Sequence, residues 1–416
     1  MKDTGQKQKK QEVIGPEAKE CRSELDQIIQ AGARYMLQHA IENEVAEYIN
    51  THVGLVDENG HRLVVRNGHM AERTVVTGAG PIPINRPRVN DKREGKIFTS
   101  RILPPYMRRA PSIDALIPAL YLRGVSTGDF TEALEAILGP QASGLSATNI
   151  VRLKQVWQQD YERWRKRDLS QKHYVYIWVD GIYFNVRLED ERICILVIIG
   201  ATSDGKKELV GVQAGYRESK LSWLDLLREL KARGLKEVPA LATGDGALGF
   251  WAALEEEFPM TRQQRCWVHK TANILDKMPK RVQPRAKQRI HEIYLAETKE
   301  EALKAYNEFL QLYGAKYPKA CNCLQKDKDV LFTFYDFPAE HWVHLRTTNP
   351  IESTFATVRH RTRRTKGCGS RSATLMMVYK LTNEAEKHWR RLNGFKLILK
   401  VIEGVEFVDG IICEAA

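Results

Sequence analysis

Acids are in short supply in this chain. Its 416 residues carry 52 Asp and Glu against 64 Lys and Arg, a formal net charge of +12. The isoelectric point is about 9.2. A surplus of that size points to a polyanionic partner, because each Lys or Arg that meets a phosphate releases condensed counterions. Long apolar runs are also missing. The longest, Ile193 to Ala201, falls far short of the roughly 20 residues that a membrane-spanning helix needs. No secretory leader is visible: residues 1–20 are polar and carry Lys2, Lys7, Lys9 and Lys10 with no apolar stretch behind them. These absences predict a soluble, intracellular protein. Cysteine is too scattered for a disulfide framework. Cys21, Cys194, Cys266, Cys321, Cys323, Cys368 and Cys413 are odd in number and fit reduced thiols in a cytosol.

What is present is enough for two or three domains, since hydrophobic residues make up 43% of the chain. Residues 1–20 are predicted to form a disordered tail and 21–170 a mainly helical N-terminal region. Helical periodicity runs through 21–52. Residues 54–95 change character, with many Gly and Pro residues and β-prone pieces such as RTVVTG and PIPINRPRV. A small β-rich module, an extended arm and a flexible linker all fit. Further on, STGDFTEALEAILG reads as a helix that ends at Gly139. Ser146 then caps a longer helix with Ile150, Leu153, Val156, Trp157, Tyr161 and Trp164 on one face. Helix, glycine-containing turn and helix over 126–168 fits a helix-turn-helix DNA reader and a plain helical hairpin alike.

From Tyr174 the pattern is strands. YVYIWVD, GIYFNVRL and ICILVIIGATSD read as three consecutive strands. A helix at about 219–233, the strand VPALATGD, a helix at about 247–257 and a short strand or loop through RQQRCWVHK follow. This order predicts an α/β fold with a mixed sheet and helices on its faces, over 171–270 and again over 341–396. Residues 271–340 read as a charged helical insertion, with Thr298 and Glu301 as a capping box and no strand-like run until VLFTFYDF. Residues 397–416 are left as a C-terminal tail.

Two acids stand out. Asp180 ends the apolar run YVYIWVD, with Gly181 after it, and Asp245 ends VPALATGD, with Gly246 after it. A carboxylate where a buried strand stops lies at the sheet rim beside a tight turn. Two of them in a basic chain suggest a divalent-metal site acting on phosphodiesters, since Mg²⁺ takes a few carboxylate oxygens together with phosphate oxygens. A third ligand is needed, and Glu352 in LRTTNPIESTF is the choice. Glu352 also fits a purely structural role: with Asn349 as N-cap and Pro350 at the first helical position, it falls at N3 of a capping box. Glu189, Asp190, Glu208, Glu218 and Asp225 compete as ligands but read as solvated turn and helix-surface acids.

Beyond Glu352 comes VRHRTRRTKG. Between Arg346 and Lys396, lysine and arginine far outnumber the acids Glu352, Glu384 and Glu386, which suits a phosphate-gripping surface. Trp389, within KHWRR, is placed either to stack on a base or to pack.

At these residues the chain resembles the DDE transposases of bacterial insertion sequences of the Mutator-like type. The resemblance is carried by YVYIWVDGIYF, ATGDGALGFWAAL, QRCWVHKTANIL and LRTTNPIESTFATVRHRTRRTKGCGSR, and upstream by VRNGHMAERTVVTGAGPIPINRPRV and LYLRGVSTGDFTEALEAILG. It covers about residues 25–395. It implies an RNase H-like core with the helical segment inserted before the glutamate, and a catalytic, metal-binding triad of Asp180, Asp245 and Glu352. It also implies two Mg²⁺ ions, with Mn²⁺ as a substitute. An N-terminal region that recognises terminal inverted repeats, DNA strand cleavage and transfer, and a homodimer or larger synaptic assembly on the bacterial nucleoid in the cytoplasm follow from the same resemblance. The family's Cys-x-x-His pair matches Cys266 and His269. That spacing alone fits half a zinc site, with Cys321 and Cys323 as the other half. The preferred roles are His269 beside the scissile phosphate or buttressing the metal ligands, and Cys266 as a small apolar residue. Arg346, Arg359, Arg361, Arg363, Arg364, Lys366 and Arg371 are expected to hold the DNA backbone. The rival readings are an RNase H-like nuclease without strand transfer and a non-catalytic DNA-binding derivative.

Overall fold

The computed structural model describes residues 24–113, 116, 120, 125, 130–138, 147–186, 192–364 and 370–413, with backbone only over 130–131, 147–154 and 362–364. The expected tail over 1–20 lies outside them. The chain forms two compact units that divide between residues 146 and 147, and not near 170.

In the first unit, helix α1 (Glu24–Thr51) is followed by strands β1 (Val64–His69), β2 (Arg73–Thr77), β3 (Gly80–Ile84) and β4 (Pro87–Asp91). Two antiparallel ladders form, β1 with β4 and β2 with β3. The 54–95 segment is therefore a β-rich module. Ile41 of α1 is buried with Val75, Ile82, Ile84 and Leu103. Helix α2 (Phe130–Leu138) contributes Leu134 and Leu138 to a second small cluster with Val76 and Ile113.

Helix α3 (Ala147–Arg165) belongs to the second unit. The Tyr161 hydroxyl donates to the Val212 carbonyl at 2.8 Å, and the Tyr161 ring meets Tyr379 edge-on at 5.3 Å. The turn expected over 139–146 lies outside the described residues. The helix that would read DNA in a helix-turn-helix is thus packed on the sheet-bearing unit through its aromatic face.

That unit is built on a five-stranded sheet of β5 (Tyr174–Phe184), β6 (Ile193–Thr202), β7 (Lys207–Gly215), β8 (Leu241–Gly244) and β9 (Arg262–Arg265), in the order β7-β6-β5-β8-β9. β5, β6 and β7 are antiparallel, while β8 runs parallel to β5 and β9 parallel to β8. β6 is buried along its whole length, as a continuous apolar run predicts for a strand covered on both faces. The meander differs from the expected one. YVYIWVD and GIYF are a single strand, and the third strand is Lys207–Gly215, whose residues alternate less clearly. On one face, Ile177 and Val179 pack with Trp223, Leu226, Leu227 and Leu230 of helix α4 (Lys220–Ala232) and with Phe250, Ala253 and Leu254 of helix α5 (Leu248–Glu257).

The segment before Glu352 holds helices α6 (Trp267–Leu275), α7 (Gln283–Leu295), α8 (Lys299–Tyr313), α9 (Pro318–Gln325) and α10 (Lys328–Leu331). Thr298 caps α8 by accepting the Glu301 amide at 3.2 Å. VLFTFYDF is not a strand: Thr333–Asp336 is a 3-10 turn. The buried Gln264 side chain takes over its backbone groups, accepting from the Phe334 N–H and donating to the Leu331 carbonyl, so no ladder partner is needed. Helices α11 (Trp342–Leu345), α12 (Asn349–Arg364) and α13 (Arg371–Glu386) complete the unit. The C-terminal segment is folded as far as 413. Helix α14 (Ile398–Ile402) precedes a hairpin of β10 (Phe407–Val408) and β11 (Ile411–Ile412). Asp409 there accepts the Lys299 amide. Among the described residues no helix is long and apolar enough to cross a membrane.

Candidate active site

Asp180 lies inside β5, paired with Val197, and not at a turn. It sits at a rim all the same. The parallel ladder of β5 with β8 ends at Trp178 and Thr243, so Asp180 projects past the end of β8. Side chains alternate along a strand, which puts Asp180 on the same face as Tyr176 and Trp178. It is buried, 6% exposed, and its Oδ1 accepts the amide of its own neighbour Gly181 at 2.8 Å.

Asp245 follows β8 directly. Its Oδ1 accepts the Ala247 amide at 2.8 Å, and the turn is closed by Gly246 at φ +89°. That glycine is required twice over. A side chain rarely adopts the angle, and a Cβ would sit 1.8 Å from Arg265 Nη1. Arg265 is buried and pairs through Nε with Asp327 at 3.2 Å.

A third carboxylate joins them, and it is Glu218. One ligand atom each from Asp180, Glu218 and Asp245 lies within 4.8 Å of the others. Glu218 stands just before Ser219, which caps α4 by accepting from the Ser222 amide. Its local sequence reads as that of a solvated acid. The overlooked signal is glycine away from turns: Gly181 lies within a strand and Gly249 within a helix, and both sit against Glu218. Burial first, then the nearby Asp245, pushes the carboxyls of Asp180 and Glu218 up to about 7, with His269 opposing in both.

Glu352 belongs to a second group with Cys266 and His269, again within 4.8 Å. Its capping role is not realised. Helix α12 starts after Thr348, whose carbonyl accepts the Glu352 amide at 3.0 Å, so Glu352 is one position too late for a capping box. The Thr348 amide donates instead to Cys266 Sγ at 3.3 Å. The Thr348 hydroxyl lies 2.9 Å from Glu352 Oε1, 3.3 Å from Cys266 Sγ and 3.4 Å from His269 Nδ1. His269 Nδ1 is 3.6 Å from Glu352 Oε1. The hydrogen bond to Cys266, then its charge and those of Asp180 and Glu352, lift the imidazole to about 9 against its burial. Burial pushes the Cys266 thiol up, but the His269 and Thr348 hydrogen bonds outweigh it and leave it below the ordinary thiol range. His269 thus carries positive charge that both carboxylate groups feel. Cys266 is a hydrogen-bond acceptor rather than a simple apolar residue. Cys321 and Cys323 lie in α9 and are absent from both clusters, so the zinc pairing is not formed.

Three consecutive carbonyls hold the distant Glu352 segment at the rim. His344 accepts from Trp178 Nε1, Leu345 from Thr243 Oγ1, and Arg346 from the Trp267 amide. The donors come from β5, β8 and the start of α6. The Cys266 amide in turn donates to the Gly244 carbonyl, one residue before Asp245.

The basic residues divide. Arg359 and Arg371 are exposed. Arg361 is buried, 3% exposed, and Arg346 turns inward, donating to the Tyr294 carbonyl and lying over that ring at 5.6 Å. Arg361 is therefore no surface contact, because helix α12 spends one face on the core, while Arg346 is half-buried. Arg363 and Arg364 are described by backbone alone, and Lys366 lies outside the described residues.

The sequence matches the family described as "Transposase, Mutator family" over residues 4–392. It is 54% identical over 299 residues to the transposase for insertion sequence element IS6120 of Mycolicibacterium smegmatis, covering 72% of this chain and 92% of that protein. It is 53% identical over 280 residues to the transposase for IST2 of Acidithiobacillus ferrooxidans, covering 67% and 95%. A more distant relative, the transposase for ISRM5 of Rhizobium meliloti, is 27% identical over 364 residues, covering 87% and 88%. The chain belongs to the Mutator family of transposases.

Proposed function

We propose that this transposase binds the terminal inverted repeats of an insertion sequence and cuts and joins DNA with a DDE triad of Asp180, Asp245 and Glu352. The observation that carries the reading is the meeting of Asp180, inside β5 beyond its ladder with β8, and Asp245, directly after the parallel strand β8. The strand order, with three antiparallel strands followed by two parallel ones, supports an RNase H-like core.

The donor set fits hard divalent cations. It offers carboxylate oxygens, and Glu218 Oε2 is buried without a hydrogen-bond partner. Two divalent ions, Mg²⁺ or Mn²⁺, would supply Lewis-acid charge to the phosphate and make water a stronger nucleophile. Asp180, Asp245 and Glu352 would hold them. His269 and Thr348 fix the Glu352 carboxylate, and His269 adds a positive charge beside it. In the first step a water oxygen attacks phosphorus at the transposon end, the bond to the 3′-oxygen breaks, and that oxygen leaves as a 3′-hydroxyl. In the second step this hydroxyl attacks a target phosphodiester in line, and the target's own 3′-oxygen leaves. No bond to the protein forms. Synapsis of two ends calls for a homodimer or larger assembly, working on the bacterial nucleoid.

Incubating labelled transposon ends with target DNA tests the reading. Joined product is expected. Cut ends without joined product would instead establish a nuclease. Asp180→Ala, Asp245→Ala and Glu352→Ala are each expected to abolish cleavage and keep end binding, and cleavage retained by any one removes that residue from the triad.

A further inference from the structure

We propose that Glu218 is a metal-positioning carboxylate of this site, so that Asp180, Asp245 and Glu218 together hold one divalent cation without Glu352. The inference rests on the metal-dependent reading above.

Four observations carry it. First, the ligand atoms of these three acids lie within 4.8 Å of one another, while Glu352 groups with Cys266 and His269. Second, Glu218 Oε2 is buried with no hydrogen-bond partner, and Asp180, 6% exposed, accepts the amide of its own neighbour at 2.8 Å. A buried carboxylate oxygen left without a donor is costly unless a cation faces it. Third, the fold makes room for Glu218 at two places where no turn calls for glycine. A Cβ on Gly181 would come 2.5 Å from Glu218 Oε1, and one on Gly249 would come 2.3 Å from the Glu218 carbonyl oxygen. The first glycine admits the carboxyl group to the strand that carries Asp180. The second lets helix α5, which follows Asp245, press against the backbone of Glu218. Fourth, His269 lies 3.6 Å from Glu352 Oε1 and groups with that residue and not with these three acids. Three converging carboxylates therefore face one another with the neutralising charge off to one side. Oxygen ligands in this arrangement suit Mg²⁺ or Mn²⁺.

The test is Mn²⁺ binding to the full-length protein without DNA, followed by electron paramagnetic resonance and calorimetry, with thermal melts alongside. Glu352→Gln is expected to keep one Mn²⁺ at near wild-type affinity. Glu218→Gln is expected to weaken that ion by about tenfold or more. It should also melt no lower than wild type without metal, because it removes one of three crowded carboxylates, while losing most of the Mn²⁺-induced rise in melting temperature. Glu218→Asp, which keeps the charge but shortens the reach, should fall between. Wild-type Mn²⁺ affinity in Glu218→Gln overturns the proposal, as does a lower metal-free melt with the Mn²⁺-induced rise intact, which marks a purely structural residue. If Asp180→Asn also binds Mn²⁺ like wild type, the metal-site reading itself fails.

Discussion

The Cβ that Gly181 lacks would lie 2.5 Å from the carboxyl carbon of Glu218. The glycine after Asp180 thus serves a close approach rather than a turn, and the two positions are coupled. Gly181→Ala is expected to cost about 1–3 kcal/mol, as overpacking does, and to displace Glu218. In a Glu218→Ala background the same change should cost far less. A double-mutant cycle by chemical denaturation measures the difference, and additive costs would remove the coupling.

Stability of the metal-free protein should fall as pH rises from the ordinary carboxylate range to about 7. Asp180 and Glu218 titrate at about 7 in the fold, so between their unfolded values and 7 the folded state holds protons that the unfolded chain has released. His269, raised to about 9, adds stability that is complete below its unfolded value and lost as pH passes 9. The slope from the carboxyls is negative, and near pH 9 the lowered Cys266 thiol opposes the His269 contribution. Mn²⁺ replaces the carboxyl protons, so its stabilising effect should be larger at about pH 8 than at about pH 5.5. Melting curves at the two pH values, with and without Mn²⁺, check this, and an equal metal effect at both contradicts it.

Asp327 fastens the site to the helical insertion. It pairs with Lys270 at 2.5 Å and with Arg265 at 3.2 Å, and both cations are buried. Asp327→Asn leaves two buried charges poorly compensated and is expected to cost about 3–5 kcal/mol. Adding Lys270→Met should recover part of the loss in a thermal melt. A single variant as stable as wild type would show that the pair contributes little.

The arginines should separate by salt dependence. If Arg359 and Arg371 grip phosphate, each change to Ala lowers the slope of log affinity against log salt by about 1. Arg346→Ala and Arg361→Ala should leave the slope unchanged and lower the melting temperature. Binding titrations on end DNA across salt concentrations read the slopes. A reduced slope in Arg346→Ala would mean that its guanidinium reaches DNA after all.

Much of the frame was legible. The apolar runs marked β5, β6 and β8, and Thr298 marked the start of α8, because burial and capping leave local signatures. Asp180 and Asp245 were found as the acids that interrupt or end such runs. Glu218 is not legible in the sequence, because nothing within its own neighbourhood distinguishes it from a solvated acid. VLFTFYDF misled because its β-prone residues are buried as a 3-10 turn, held by Gln264 from another element.

The sequence by itself determined the periodic elements, the basic surplus and the two strand-borne aspartates, since each depends on neighbours a few residues away. Only the tertiary structure decided which carboxylates meet. It brought Glu218 against Gly181, placed Glu352 with His269 and Thr348, and turned Arg346 and Arg361 inward. Those choices depend on contacts between residues far apart in the chain, where the room left by a missing Cβ, or three carbonyls captured by Trp178, Thr243 and Trp267, fixes a side chain that local pattern leaves free.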